Sequence, residues 1–402
     1  MAAALLAGVY LSGTASASLR TALATALSGS HVRSSQTGVL AVDLSGGGST
    51  VFRRNALLPL RPASNEKLTV AIAALDRLGV DFQIPTKVLG DGTFDPATGM
   101  WQGRLILRGN GDPSLTSTGL ARLAAQVRAA GIVKVNGRIL GDETYFDAVR
   151  VGPGWKASYY KEESPPLSAL VVNRARFGGR ISDQPALAAA MLFRRALETA
   201  GVAVVGRAVK GSVAGTLDVV AEVRSAVMST LVRRMNRQSD NFYAEMLMKE
   251  LGAVRRGSGT TADGARVVRS ELNERNLNLT GVRIADGSGL SAYDRLTATA
   301  VLQLLRSAVS DPTIKSPFVA SLPVAGVNGT LEDRMRSGPA HRHILAKTGT
   351  TDRASALSGY ATNLSYQPRY VFSILMNGNP VPWWYARTAQ DRFAQVLARA
   401  AQ

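Results

Sequence analysis

Apolar residues recur along this chain at two spacings, one helical and one alternating. Leu68, Ile72 and Leu75 repeat at the helical interval and stop before Gly79, predicting a buried helix that begins within Pro62-Ala63-Ser64-Asn65-Glu66-Lys67. Pro62 suits its entry and Ser64 can cap it. Helical patterns also cover 18–27, 119–130, 185–200, 225–237, 263–275, 297–307 and 385–400. Strand-like runs occupy 37–44 and 50–54, around Gly46-Gly47-Gly48, and again 354–362 and 369–376. Between them, 86–89 and 104–108 with a turn at Asp91-Gly92, then the strand 133–140, predict a separate α/β unit. The run 178–184 reads as a loop, and 202–209 with 217–223 as a strand pair. A hairpin near one end and strands near the other pair most economically into one antiparallel sheet, with the terminal helices on one face and an insertion in the middle. The predicted class is α+β.

A length of 402 residues accommodates two domains, or one with a large insertion, and 46% hydrophobic residues exclude a disordered chain. The absence of cysteine excludes disulfides and thiolate metal sites. Forty-seven basic against 29 acidic residues give a net charge of +18, which favours polyanions: nucleic acid, acidic wall polymers or anionic lipid. No nucleic-acid motif accompanies the charge, so nucleic acid is not the expected partner. The first nineteen residues carry no charged side chain, and an apolar stretch at 2–11 runs into Ala15-Ser16-Ala17. That predicts a signal peptide or its remnant at 1–17, lacking the usual basic start, and hence export. No other stretch is long and apolar enough to span a bilayer.

The candidate chemistry follows from what is scarce. Histidine occurs only at 31, 341 and 343, none beside a serine motif, so a serine-histidine-carboxylate triad is poorly supported. His341 and His343 would share one side of a strand, but no partner ligands accompany them; neither metal nor cofactor is expected. Only nine of the basic residues are lysines, and lysine, unlike arginine, can give up its proton when desolvated. Ser64 and Lys67 lie three apart on one helix face, a hydroxyl beside an amine at the positive end of a helix dipole. Alone, the pair also describes a capped helix with a surface lysine. Two further motifs follow in order, Ser239-Asp240-Asn241 and Lys347-Thr348-Gly349-Thr350. An acyl-transfer enzyme without a suitable histidine needs another base for its serine, and Lys67 is placed to be one. Its ordinary pKa of about 10.4 must fall by about three units, or ~4 kcal/mol, for work near neutrality. Burial and a neighbouring cation lower it, and Lys347 is the candidate cation. Ser239 can relay the proton to a leaving amine and Asn241 can hold a substrate amide. Lys347 and Thr348 can bind a terminal carboxylate. If Gly349-Thr350 lies on an edge strand, the N–H groups of Ser64 and Thr350 can form an oxyanion hole.

These three motifs in this order are those of class A β-lactamases and penicillin-binding proteins. Over nearly its whole length the chain resembles the low-molecular-mass class C penicillin-binding proteins, serine D-alanyl-D-alanine carboxypeptidase/endopeptidases. The stretches carrying the resemblance include Gly109-Asn110-Gly111-Asp112-Pro113-Ser114-Leu115, Gly141-Asp142-Glu143-Thr144-Tyr145-Phe146-Asp147 and Ser168-Ala169-Leu170-Val171-Val172-Asn173-Arg174. Gln238 to Glu245 and Asp286-Gly287-Ser288-Gly289-Leu290-Ser291 add to them. The resemblance implies a transpeptidase/β-lactamase-like fold, with a five-stranded antiparallel sheet, helices on both sides, a helical subdomain and an α/β domain inserted after the active helix. The implied domains are a catalytic one at 18–83 and 218–402 and an inserted one at 84–217. The implied activity is hydrolysis of D-Ala-D-Ala stem peptides or cross-links of peptidoglycan outside the membrane, with covalent binding of β-lactams. By matching position, Ser64 is the nucleophile, Lys67 its base, Ser239 and Asn241 the second-motif pair, and Lys347, Thr348, Gly349 and Thr350 the carboxylate and oxyanion elements. Further partners are anionic wall polymers or a membrane surface, attracted by the charge.

The chain departs from many relatives after 168–174, where only 178–184 is available for a further small domain, and the Asp142 turn reads as structural rather than as a side-chain pocket. Two alternatives remain. Glu274-Arg275-Asn276-Leu277-Asn278 matches the loop carrying the deacylating glutamate of class A β-lactamases, yet the 171 residues from 68 to 238 are too many for that class. A non-catalytic wall-binding module of the same fold is the other, and the full set of reactive side chains argues against it.

Overall fold

The computed structural model describes residues 17–45 and 47–402; the predicted signal segment lies outside it except for Ala17, as does Gly46 of the glycine turn. Contacts divide the chain into two compact units. The first takes the described residues up to Asp76 together with Val232–Asp240 and Val268–Gln402, and the second takes Arg77–Leu231 and Asn241–Val267.

The first unit is built on a five-stranded antiparallel sheet in the order Ile344–Thr350, Ala354–Thr362, Pro368–Asn377, Thr37–Asp43, Ser49–Arg54. Strands from the two ends of the chain therefore meet, as the hydrophobic pattern requires, with Val39 opposite Ile374 and Ala41 opposite Phe372. Alternation turns Val39, Ala41, Leu357, Phe372 and Ile374 to one face, where helix 17–28 contributes Leu23 and Leu27 and the terminal helix Trp383–Ala401 contributes Phe393 and Leu397. The opposite face packs on the helix Ala298–Ser310, whose first turn is capped by the Thr297 hydroxyl. There the buried Tyr360 hydroxyl donates to the Leu305 carbonyl at 2.6 Å. Lys347, paired across the ladder with Ser358, shares this second face. His341 and His343 fall in the turn before the strand, not on it, so strand geometry does not align them.

The second unit holds a mixed sheet whose main path runs Ala208–Lys210, Ile139–Asp142, Met100–Gly109, Pro85–Asp95, Asp218–Arg224. The helices Ser117–Ala129 and Pro185–Thr199 bury Leu120, Leu123, Val127, Phe193 and Leu197 against Leu105, Leu107 and Ile139 of that sheet. Several details differ from the sequence reading. Asp91-Gly92 is no turn: Gly92 faces Gly103 inside a long hairpin. The chain reverses instead after Asp95, whose carboxylate accepts the Ala97 N–H at 3.0 Å and the Thr98 hydroxyl at 2.6 Å, and this side-chain closure decides between two sequences that both favour turns. The strand expected at 133–140 is two strands, Lys134–Asn136 and Ile139–Asp142. The runs near 202–209 and 217–223 do not pair with each other. Ala203–Val204 and Ala208–Lys210 add in parallel to Lys134–Asn136 and Ile139–Asp142, whereas Asp218–Arg224 closes the far edge against Pro85–Asp95. The run 178–184 is largely turn and coil as expected, interrupted by Arg180–Ile181, which pairs with Arg176–Phe177 in a small hairpin.

The largest element missed by periodicity is the helix Asn241–Arg256. Eleven consecutive residues, Phe242 to Gly252, are buried in it, so its polar positions Glu245, Lys249 and Glu250 face the interior and not solvent. The Asp142 carboxylate is satisfied internally by Arg108 Nε at 2.8 Å and by the Thr144 N–H and hydroxyl at 3.0 and 2.7 Å, a structural turn. Glu274 is exposed at the end of the helix Thr261–Glu274, accepting from the Ser270 hydroxyl at 2.9 Å.

Phe393 is fully buried, edge-on to Phe52 with centroids 5.5 Å apart, whereas Trp384 on the same helix is 67% exposed. Phe393→Ala is expected to lower the unfolding free energy by about 3–5 kcal/mol and Trp384→Ala by less than ~0.5 kcal/mol, as read from urea unfolding.

Candidate active site

The serine expected to cap a helix does something else. Ser64 lies within a 3-10 turn, Ala63–Glu66, that precedes the helix Lys67–Arg77, and its hydroxyl accepts a hydrogen bond from Lys67 Nζ at 2.9 Å. Because the turn brings residue 64 and the first α-helical residue onto one side, the three-residue spacing becomes a direct contact. Lys67 is fully buried, and its Nζ also donates to the Ser288 carbonyl at 2.7 Å. The loop carrying that carbonyl presses on the nucleophile turn. Gly289 has φ +82°, and a Cβ there would stand 1.9 Å from the Ala63 carbonyl oxygen, so neither the conformation nor the space admits another residue.

A second serine-lysine pair mirrors the first. Ser239 sits at the break between two helices with φ +55°, in a bend closed by the Asp240 N–H on the Met235 carbonyl at 3.0 Å. Asn236, one turn earlier, is tied by its Nδ2 to the Ser321 hydroxyl at 2.8 Å. The Ser239 hydroxyl accepts from Lys347 Nζ at 2.8 Å, and Lys347 also donates to the Thr348 carbonyl at 3.0 Å. Lys347 has no solvent exposure; burial, and then the charge of Lys67, hold its ammonium well below the usual lysine range. Asn65 binds the two motifs together, its Nδ2 donating to the Lys347 carbonyl at 3.0 Å.

Ile344–Thr350 is the edge strand of the sheet. The Ile344 carbonyl accepts from Ala325 N–H at 2.9 Å and the Ala346 N–H donates to Pro323 at 3.0 Å, both on the side away from the neighbouring strand. Alternation therefore aims the N–H groups of Thr348 and Thr350 toward the same side. At Gly349 a Cβ would lie 2.8 Å from the Pro62 carbonyl and 3.1 Å from the Ser64 nitrogen, so only glycine lets the strand approach the nucleophile turn this closely. The Thr348 hydroxyl donates to Thr330 Oγ1 at 2.7 Å, and Arg387 Nη2 donates to Thr350 Oγ1 at 3.1 Å.

Ser64 with Lys67 and Ser239 with Lys347 are thus two hydrogen-bonded pairs, linked by the Asn65 bond to the Lys347 carbonyl on the edge strand. Asn241, two residues beyond Ser239 in the chain, opens a helix of the second unit, where its Nδ2 donates to the carbonyl and a carboxylate oxygen of Glu163, each at 3.2 Å. Four contributors were not singled out by sequence. Ser288 acts through its backbone and Asn65 is hidden between two motif residues, while Thr330 and Arg387 carry no local signal. The first two do lie in stretches whose resemblance to known proteins was visible.

The profile of the D-Ala-D-Ala carboxypeptidase 3 (S13) family matches residues 19–184 and 177–400. The D-alanyl-D-alanine carboxypeptidase of Actinomadura sp. (strain R39) is 32% identical, over 91% of this chain and 81% of that protein. Penicillin binding protein 4 (dacB) from Haemophilus influenzae superposes with a TM-score of 0.81 at 21% identity, covering 94% of this chain and 98% of that one. A predatory peptidoglycan endopeptidase from Bdellovibrio bacteriovorus gives a TM-score of 0.60 at 16% identity, covering 90% and 92%. The last two establish likeness of fold.

The depressed protonation of Lys347 has a thermodynamic signature. The unfolded chain binds the lysine proton up to about its ordinary pKa of 10.5, the folded chain releases it at lower pH, and unfolding takes up a proton between those values. Stability contributed at this site therefore rises with pH through that window, and the penalty is complete below it. Lys347→Met is expected to match or exceed the wild type in unfolding free energy at neutral pH, with the wild type gaining on it as pH rises; urea titrations across pH measure the difference.

Proposed function

The chain belongs to the D-Ala-D-Ala carboxypeptidase 3 (S13) family, and from that premise we propose how its residues carry out serine DD-peptidase chemistry. The protein is a serine-type D-Ala-D-Ala hydrolase. In the proposed cycle Lys67 takes the Ser64 hydroxyl proton as Ser64 Oγ attacks the carbonyl of the penultimate D-alanine. The tetrahedral oxyanion is held by the N–H groups of Ser64 and Thr350. The C–N bond then breaks, the departing amine takes a proton through Ser239 from the lysine pair, and an acyl-Ser64 remains. Water, deprotonated by the same base, hydrolyses that ester and regenerates the serine. Lys347 and Thr348 receive the terminal carboxylate, and Asn241 the amide of the acyl side. The observation that carries this reading is the 2.9 Å contact of a fully buried lysine amine with Ser64 Oγ, beside a second lysine whose charged form is disfavoured.

The substrate class is the stem peptide of peptidoglycan, and β-lactams, which present a strained amide and a carboxylate to the same groups, are the inhibitors. Whether the departing amine belongs to free D-alanine or to a cross-link depends on what the leaving side admits. A site of action outside the cytoplasmic membrane follows from that substrate; among the described residues no helix is long and apolar enough to cross a membrane. The charge of +18 would concentrate the enzyme on anionic wall polymers. The catalytic domain is proposed at 18–83 and 218–402, and the inserted domain at 84–217. A β-lactamase role is disfavoured by the exposed position of Glu274.

Digestion of purified peptidoglycan tests the reading. Release of free D-alanine marks carboxypeptidase action and release of monomers from dimers marks endopeptidase action; Ser64→Ala is expected to lower both by about a thousandfold or more. Wild-type rates in Ser64→Ala would overturn the assignment.

A further inference from the structure

Behind the Ser288 carbonyl that receives Lys67 lie three carboxyl groups without solvent exposure, Glu66, Asp286 and Asp294. A buried acid cluster so close to a working base calls for an account, because each charge there is costly unless it is bonded. Asp286 is fully engaged with its own loop. Its Oδ1 accepts the Gly289 N–H at 2.7 Å, and its Oδ2 accepts the Ser291 N–H at 2.8 Å and the Ser288 hydroxyl at 3.2 Å. These bonds flank residue 288 on both sides and set the direction of its carbonyl. Asp294 braces the loop from its other end, Oδ1 accepting the N–H groups of Ala285 at 2.7 Å and Asp286 at 3.3 Å. Asp294 Oδ2 meets no donor, and its carboxyl is within hydrogen-bond reach of that of Asp286. Two carboxylates cannot share a hydrogen bond, but a carboxylic acid and a carboxylate can. Since donors converge on both oxygens of Asp286, the proton belongs on Asp294. Burial, and then the charges of Asp286 and Glu66, push the Asp294 carboxyl well above the usual range, in agreement. Glu66, on the nucleophile turn itself, accepts from the Thr69 hydroxyl at 3.1 Å.

We infer that Asp286 is a positioning residue for the reaction: partnered by a neutral Asp294, it fixes the turn that presents the Ser288 carbonyl to Lys67 Nζ and so keeps that amine on Ser64 Oγ. This rests on the reading of Lys67 as the base. A neutral lysine amine has two N–H bonds and one lone pair on a flexible stem. Committing one N–H to a fixed carbonyl removes a rotational freedom and leaves the remaining directions for the serine. Gly289 allows the loop to lie against Ala63, so a shift of the loop would move the acceptor and the nucleophile turn together.

The test separates position from mere stability. For each variant, end-point labelling with a fluorescent penicillin counts the competent sites, and stopped-flow acylation then gives the bond-forming rate per competent site apart from the binding constant. Asp286→Ala and Asp286→Asn, which lose the dual acceptor, are expected to slow bond formation by about tenfold to a hundredfold with binding changed by less than about twofold, the scale of a misplaced catalytic group. Asp294→Asn, which reproduces the neutral acid with its donor, is expected to stay within about threefold of wild type per site, whereas Asp294→Ala falls toward the Asp286 variants. A normal per-site rate in Asp286→Asn would overturn the inference, and so would a loss in Asp294→Asn equal to that in Asp286→Asn. Acylation that persists in Ser64→Ala would instead overturn the proposed nucleophile, which keeps the two failures distinct.

Discussion

Two lysine side chains, Lys67 and Lys347, are withdrawn from water within reach of each other's charge, and most of the first unit is arranged around that arrangement. The Lys347 ammonium is disfavoured by burial and again by the charge of Lys67. Each lysine is compensated by short bonds to one serine hydroxyl and one backbone carbonyl: Ser64 and Ser288 for the first, Ser239 and Thr348 for the second. The acceptors come from four separate stretches, and only a rigid framework can keep four stretches in register to a few tenths of an ångström.

The framework is the five-stranded sheet, closed by strands from both ends of the chain. Its core, with Phe372, Ile374 and Phe393 on one face and Tyr360 fastened to a helix on the other, immobilises the edge strand that bears Lys347. Gly349 lets that edge come against the Ser64 turn, and Gly289 lets the acid-braced loop come against it from another direction. Packing energy thus supports a destabilised site. That is the usual relation between a core and a strained active centre.

Much of this was legible in the sequence. The candidates Ser64, Lys67, Ser239 and Lys347 follow from residue type, order and the scarcity of histidine and lysine; alternation at 37–54 and 354–376 predicts four strands of one antiparallel sheet, and the family resemblance supplies the fifth. What stayed hidden has physical causes. The Ser64–Lys67 spacing is equally that of a capped helix with a surface lysine, and nothing local reveals that Lys67 is buried. The helix Asn241–Arg256 buries eleven consecutive residues, polar ones included, so its polar positions do not mark a solvent face. The Ser288 carbonyl is invisible to any reading of side chains, and the pairing of Asp286 with Asp294 depends on a tertiary contact between two acids that the sequence would keep apart.

The central claim is that Ser64, activated by Lys67, forms the acyl-enzyme. Mass spectrometry of the intact protein after brief exposure to benzylpenicillin, followed by peptide mapping, tests it most directly. A persistent one-to-one adduct on the peptide bearing Ser64, absent in Ser64→Ala and formed far more slowly in Lys67→Ala, is the expected result. Rapid turnover of the drug without an adduct, or an adduct on another serine, would contradict the account.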